Sequence, residues 1–247
     1  MQKYDQIFSL PLTKSQWSFD EDVTQVFSNM IKRSIPGYSI IINMIGKLSQ
    51  KFVKNHTQIY DLGCSLGDIA ISIQKNLQAN KSKGCQIIAI DNSPSMITQL
   101  KQKIKQQKTI YSTIIKIIEN DINKSIIRNA SMVVLNFTLQ FIPLEKREHL
   151  LKSIFAGLNS EGVLIISEKF KFNNYRIDQI ITNLYYDFKK NHGYSDFEII
   201  QKQNLLKKVM IIETIENQIK TLQKIGFVHV DLWFQYLNFG SLIAIKN

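Results

Sequence analysis

The sequence predicts an α/β fold built on a doubly wound, mostly parallel seven-stranded sheet whose last strand runs antiparallel. Three observations carry this. From Gln58 onward, short apolar runs alternate with helical patterns, as parallel strands joined by crossover helices do. Asp61-Leu-Gly-Cys-Ser-Leu-Gly67 then sets two glycines in a tight turn between the first strand and the next helix. Near the C-terminus, 228–234 and 241–245 flank Asn238-Phe-Gly240 and read as an antiparallel closing pair. The topology expected is Rossmann-like, with N-terminal helices and a helical insertion between strands five and six.

The elements follow in order. Ser18 with Glu21 matches a capping box, and Val23, Val26, Phe27, Met30 and Ile31 then repeat at helical spacing. Pro36-Gly37-Tyr38 stops that helix, and Ile41, Met44, Ile45, Leu48 and Phe52 mark a second. Both helices are expected to cover the ligand end of the sheet, with residues 1–55 as an N-terminal cover. The strands expected are 58–61, 86–91, 114–121, 132–136 and 162–168. Helices run over 68–76, from Pro94 with proline at its first turn, and from Pro143. Between residues 170 and 226 lies far more chain than one crossover needs. Three helical patterns fill it: Ile177 to Phe188, 195–210, and Ile215 to Ile225 before Gly226. Such an insertion is expected to form a lid or a dimer contact. Without a linker or internal repeat, residues 1–247 read as a single domain.

The totals narrow the class. With 44% hydrophobic and 21% charged residues, this is the composition of a globular protein. No apolar run approaches the ~18 residues of a membrane helix. The opening Met1-Gln-Lys-Tyr-Asp-Gln is too polar for a signal peptide, and Cys64 and Cys85 are expected as free thiols, so the chain is expected to be cytoplasmic. The two cysteines and four histidines show no metal-ligand spacing, and no metal is expected. The net charge of +11 invites a nucleic-acid partner, yet 27 of the 31 basic residues are Lys and four are Arg. Sequence readers favour the guanidinium fork. The Lys101, Lys103, Lys105 and Lys108 run reads as a solvated helix face, and no direct nucleic-acid or membrane binding is expected.

Ligands of doubly wound sheets bind beyond the carboxyl ends of the strands. Gly63-x-x-x-Gly67 after an acidic residue differs from the G-x-G-x-x-G pyrophosphate turn. It is similar to the first motif of S-adenosylmethionine (SAM)-dependent transferases. Gly63, Cys64 and Ser65 would then bring bare backbone amides to the amino-acid part of SAM. Asp91 would accept from the ribose hydroxyls, with Asn92 beside it. Asp121 and Ile122 would meet the adenine, and Asn136 the methionine portion. Tyr38 would wall the ligand. Each has a plainer alternative, since Asp91 could start a turn, Asn136 could satisfy a loop and Tyr38 could be a half-buried turn residue.

Longer strings resemble one family closely. Arg33-Ser-Ile-Pro-Gly-Tyr-Ser39, Tyr60-Asp-Leu-Gly-Cys-Ser-Leu-Gly67, Ile90-Asp-Asn-Ser-Pro94, Asn129-Ala-Ser-Met-Val-Val-Leu-Asn-Phe-Thr-Leu-Gln-Phe141, Ser167-Glu-Lys-Phe170, Leu232-Trp-Phe-Gln235 and Asn238-Phe-Gly-Ser-Leu242 resemble the carboxy-S-adenosyl-L-methionine (carboxy-SAM) synthase family. The resemblance implies a homodimer that converts SAM and prephenate to carboxy-SAM and phenylpyruvate, supplying the donor for carboxymethylation of a wobble uridine in tRNA. It implies SAM contacts at Tyr38, Gly63, Cys64, Ser65, Asp91, Asn92, Asp121, Ile122 and Asn136. In the chemistry it implies, the sulfonium acidifies the SAM methyl, and prephenate aromatises as it loses carbon dioxide and hydroxide. The hydroxide can take the methyl proton, so no protein residue need act as the base, and no catalytic residue is assigned. An ordinary SAM-dependent methyltransferase and a SAM-binding scaffold without turnover remain as alternatives.

One position departs from the family pattern. After Gly193-Tyr-Ser195 the family has a Lys-Arg pair whose Arg reaches from the partner subunit to the carboxylate of carboxy-SAM. Here the pair is Lys202 and Gln203. A glutamine donates hydrogen bonds without charge, and hydrogen bonds to charged groups are worth ~1.5–3 kcal/mol. Lys202 or another cation could replace the Arg, the enzyme could be weakened, or its selectivity could be relaxed.

Overall fold

The computed structural model describes residues 7–9, 17–79, 83–109 and 111–247. The polar N-terminal stretch Met1 to Gln6, judged above, lies outside the described residues. Seven strands form one sheet: β1 (Gln58–Leu62), β2 (Gln86–Asp91), β3 (Ile114–Glu119), β4 (Ala130–Asn136), β5 (Leu158–Lys169), β6 (His229–Tyr236) and β7 (Phe239–Ile245). Their order is β3-β2-β1-β4-β5-β7-β6. Six strands share one direction and β7 runs against its neighbours β5 and β6. Strand order reverses between β1 and β4, where a doubly wound sheet opens its crevice.

Each central strand is buried on both faces, and alternate residues feed two apolar layers. Ile59, Ile87, Ala89, Met132, Val134, Val163 and Ile165 point to one layer. It is covered by α2 (Tyr38–Phe52), α3 (Asp68–Ala79) and α4 (Pro94–Lys105) through Ile41, Ile45, Ile73 and Leu100. Tyr60, Leu62, Ile88, Val133, Leu135, Leu164 and Ile166 point the other way. There α5 (Leu144–Gly157) and α8 (Ile215–Ile225) pack through Leu150, Ile154 and Leu222. The remaining helices, α1 (Glu21–Ser34), α6 (Tyr175–Asn191) and α7 (Asp196–Leu206), gather at the carboxyl end of the sheet.

Several local expectations change. The capping box at Ser18 does not form. Asp20 is the N-cap of α1 and accepts from the Val23 amide, while Ser18 Oγ donates to the Asp20 carboxylate. Aspartate caps about as well as serine, and Asp20 holds the position next to the first helical residue. Only α1 and the first turn of α2 reach the ligand end of the sheet. The rest of α2 is a layer helix set close on α3, where a Cβ at Gly46 would strike the Ser72 side chain. Of the three inserted helices, α8 is the ordinary crossover helix beside α5, and only α6 and α7 line the cavity described below. Strand β5 begins at Leu158, four residues earlier than expected, and runs through Glu161 at φ 63°. Cys64 and Cys85 are free and buried.

Candidate functional site

The alternation that builds the core also builds the site. On the α2–α3 side of the sheet, Ile59 is followed by Asp61, Ala89 by Asp91, Val134 by Asn136, and Ile165 by Ser167 and then Lys169. Each apolar row therefore ends in a polar residue at the carboxyl edge, on the same face. Asn136 pairs with Ser167, so Lys169 lies two residues beyond the level at which β4 stops. Above this edge is a cavity of ≈ 680 Å³. All the SAM-contact candidates named above are brought together here: Tyr38, Gly63, Cys64, Ser65, Asp91, Asn92, Asp121, Ile122 and Asn136 line it, as do Lys202 and Gln203.

The glycine turn is held from beneath. Gly63 and Cys64 donate their amides to the Ile90 carbonyl at 2.8 and 3.0 Å, and the Ser65 amide donates to Asp91 Oδ2 at 2.8 Å. The expectation of bare amides is thus corrected, because all three are spent on β2. What the turn offers a ligand is close approach and its carbonyl edge, suited to an ammonium group. Gly63 has φ +76°, and a Cβ there would run into Thr138. Ser65 shares the left-handed region at φ 47°, which only the surrounding bonds sustain. Lys103 leaves its expected solvated face to donate to the Leu66 carbonyl at 3.1 Å and pair with Asp68 at 2.7 Å, bracing the same turn.

One end of the cavity is acidic. Asp91 accepts from Ser65 on one oxygen and from the Ser93 amide, 2.9 Å away, on the other. Each oxygen keeps a second lone pair. Burial raises the Asp91 pKa, against the pull of those amides. Burial also pushes Asp61 up to about 7, helped by the nearby charges of Asp91 and Asp68. Asp121, less enclosed, is lowered: its slight burial is outweighed by the amide and side chain of Asn123, both at 2.9 Å. Tyr38 is buried, donates to Asp68 Oδ2 at 3.2 Å, and lies 6.1 Å from the Phe137 ring, so it is a wall and not a half-exposed turn residue. The Asn136 Oδ1 atom is buried with no hydrogen-bond partner among the described residues.

The other end is basic. Lys169 Nζ and Lys189 Nζ stand 4.7 and 4.9 Å from the centroid of one ring, Tyr185. Lys202 Nζ donates to Ser34 Oγ at 2.7 Å and lies 5.4 Å from the Tyr194 ring. Burial lowers Lys169 to about 8. Burial, then the charges of Lys202 and Lys169, lower Lys189 to about 6. Gln203 lines this chain's own cavity and hydrogen-bonds Tyr186. The family pattern had that position reaching out of a partner subunit. Behind the wall, Glu168 receives the Leu139 and Gln140 amides at 2.9 and 2.8 Å, and the Gln140 side chain receives the Lys169 amide at 3.1 Å. The ends of β4 and β5 are therefore locked together.

Lys169, Lys189, Tyr185 and Phe137 escaped the sequence reading. Lys169 was findable, since it closes β5 by the same rule that singled out Asp91. Lys189 was not, because a lysine in the last turn of a helix ordinarily answers the helix dipole in solvent.

The fold and its sheet-end cavity define a SAM-binding protein of the methyltransferase type. Residues 60–164 match the methyltransferase domain family. Human N-acetylserotonin methyltransferase, solved in complex with SAM, superposes with a TM-score of 0.60 at 18% identity, over 92% of this chain and 55% of that one. Magnesium protoporphyrin IX methyltransferase from Synechocystis PCC 6803, solved with bound SAH, gives 0.58 at 12% identity over 95% and 90%. These two likenesses establish the fold. The sequence goes further. It is 47% identical over 247 residues to the carboxy-S-adenosyl-L-methionine synthases of Salmonella paratyphi B and Salmonella enteritidis PT4, covering 100% of this chain and 98% of each relative. The chain belongs to the carboxy-S-adenosyl-L-methionine synthase family, and is a transferase.

Proposed function

We propose that this enzyme converts SAM and prephenate to carboxy-SAM and phenylpyruvate, with release of water. The observation that carries the proposal is the polarity of the cavity: carboxylates at the ends of β1 and β2, ammonium groups at the end of β5 and on α6 and α7. The acidic end complements a cationic donor. The basic end complements an anionic second substrate, which a simple methyl acceptor would not require.

The residues present fit SAM. Asp91 has lone pairs to accept both ribose hydroxyls, and Asn92 lies beside it. Asp121 keeps an oxygen for the adenine amine, with Ile122 against the ring. The orphaned Asn136 Oδ1 would be satisfied by the methionine ammonium, which the carbonyl edge of Gly63 to Ser65 also suits. Tyr38, pinned to Asp68, holds the far wall. When bound, SAM supplies a methyl carbon activated by the adjacent sulfonium. The protein orients the two substrates and keeps water away from that carbon. Phe137, Tyr185 and Tyr186 supply apolar wall for this purpose.

We further propose that the enzyme is a cytoplasmic homodimer whose product serves tRNA wobble-uridine carboxymethylation, with no nucleic acid or membrane bound directly. An apolar stripe on α6 supports the dimer: Ile180 and Leu184 are 52% and 47% exposed, with Ile177 alongside. The test of the reaction is incubation of purified enzyme with SAM and prephenate, followed by mass spectrometry. A prephenate-dependent product heavier than SAM by one carbon dioxide is expected. S-adenosylhomocysteine with a methylated acceptor, and no such product, would overturn the proposal.

A further inference from the structure

We propose that Lys169 and Lys189, clamped on the Tyr185 ring and backed by Lys202, form the subsite that grips the two carboxylates of the second substrate. The inference rests on the reading of that substrate as prephenate, and it names the residues that recognise it.

Placement comes first. β4 lies between β1 and β5, so Lys169 is on the side of Asn136 remote from the Asp91 carboxylate. It also stands two residues higher than the end of β4. Lys189 from α6 and Lys202 from α7 converge on the same part of the cavity. A donor laid from Asp121 across Asp91 to Asn136 therefore leaves its methionine end facing the three lysines.

Burial is the second observation. Lys189 and Lys202 are each only 4% exposed. Taking an ammonium group out of water costs several kcal/mol unless a counter-charge repays it. Among the described residues, no carboxylate is within ion-pair distance of Lys169 or Lys189. The Tyr185 face offers a cation–π contact, worth far less than an ion pair in such surroundings. Asp178 attracts Lys169 only from a distance, and Lys207 repels it. The low pKa values of both lysines express the same shortage of negative charge. An incoming dianion supplies what the resident residues do not. A single carboxylate, such as that of SAM itself, would leave one of Lys169 and Lys189 uncompensated.

The walls suit the rest of such a molecule. Tyr185 and Phe239 set ring faces against the lysines, and Tyr186 and Phe137 line the same cavity, matching a six-membered carbocycle that carries both carboxylate-bearing arms on one ring carbon. The cluster also accounts for the neutral Gln203. With three lysines able to hold protons against a bound dianion, a further cation there is dispensable.

The test is calorimetric titration of prephenate into enzyme saturated with S-adenosylhomocysteine, which has no methyl group to react. Wild-type enzyme is expected to bind prephenate. Lys189→Met and Lys169→Met are each expected to weaken it by about tenfold or more, and Lys189→Arg by less than about threefold. S-Adenosylhomocysteine affinity should stay unchanged in all three, which also certifies that they fold. Equal prephenate affinity in wild type and both Met variants would overturn the subsite while leaving the reaction intact. Failure of prephenate to bind wild type, with malonate bound in a Lys189-dependent manner, would uphold the dicarboxylate subsite and overturn the choice of prephenate. Binding of neither anion would overturn the subsite.

Discussion

The Ser65 amide donates to Asp91 Oδ2 at 2.8 Å, joining the glycine turn after β1 to the carboxylate that ends β2. Loop shape and the proposed ribose acceptor are thereby one unit. Asp91→Asn keeps the size of the side chain but offers one acceptor oxygen to the Ser65 and Ser93 amides, which now use two. One amide is left unsatisfied, at a cost of about 1–3 kcal/mol. SAM affinity in isothermal titration should fall by about tenfold or more, with a lower melting temperature. An unchanged SAM affinity would separate the turn from the ribose site.

Asp61 makes stability depend on pH. Its folded pKa of about 7 lies above the ordinary carboxylate value, because burial disfavours the charge. A raised folded pKa contributes stability that is complete below about pH 4 and is lost as pH rises through about 7. Lys189 and Lys169, with lowered pKa values, act in the opposite sense: their burial penalty is full below about 6 and about 8 respectively and is relieved as pH rises from there toward 10.5. Comparing wild type with Asp61→Asn isolates the aspartate. Between pH 5 and pH 8, roughly, the variant should lose less thermal stability than wild type. Parallel curves would place a normal carboxylate at Asp61.

Gln203 bonds Tyr186 inside a cavity already lined by four lysines, Lys169, Lys189, Lys202 and Lys207. Gln203→Arg should raise affinity for carboxy-SAM, measured by competition against SAM, but by less than about tenfold. The new charge adds to a positive field rather than creating one. A much larger gain would mean that the lysines do not reach the product carboxylate.

Ile180 and Leu184 sit one helical turn apart on the exposed side of α6, while Tyr185 turns inward. The double change Ile180→Glu with Leu184→Lys should convert the proposed dimer to a monomer in light scattering, with secondary structure intact. A dimer that survives would move the interface elsewhere.

Much of this was legible in the sequence because the central strands are short Ile- and Val-rich runs punctuated by Gly, Pro and Asp. Ser93-Pro94 behaves as the helix start it resembles. The apolar stripe of α6 read as a single face, yet the fold divides it: Tyr185 enters the cavity while Ile180 and Leu184 face outward. No periodicity can tell which side of a broad stripe meets the core. The destination of the Gly63 to Ser65 amides was equally hidden, since a glycine turn looks alike whether its amides face a ligand or the neighbouring strand. Lys189 is the sharpest case. Its depressed pKa comes from burial and then from Lys202 and Lys169, separated from it in the chain by 13 and 20 residues and brought close only by the packing of β5, α6 and α7.

The central claim is that the carboxyl group of the product comes from the second substrate. Prephenate labelled with ¹³C in its ring carboxyl, supplied with unlabelled SAM, tests it directly by mass spectrometry. The expected result is carboxy-SAM carrying the label, formed together with phenylpyruvate. Label recovered only as free bicarbonate, with SAM unchanged or converted to S-adenosylhomocysteine, would contradict it.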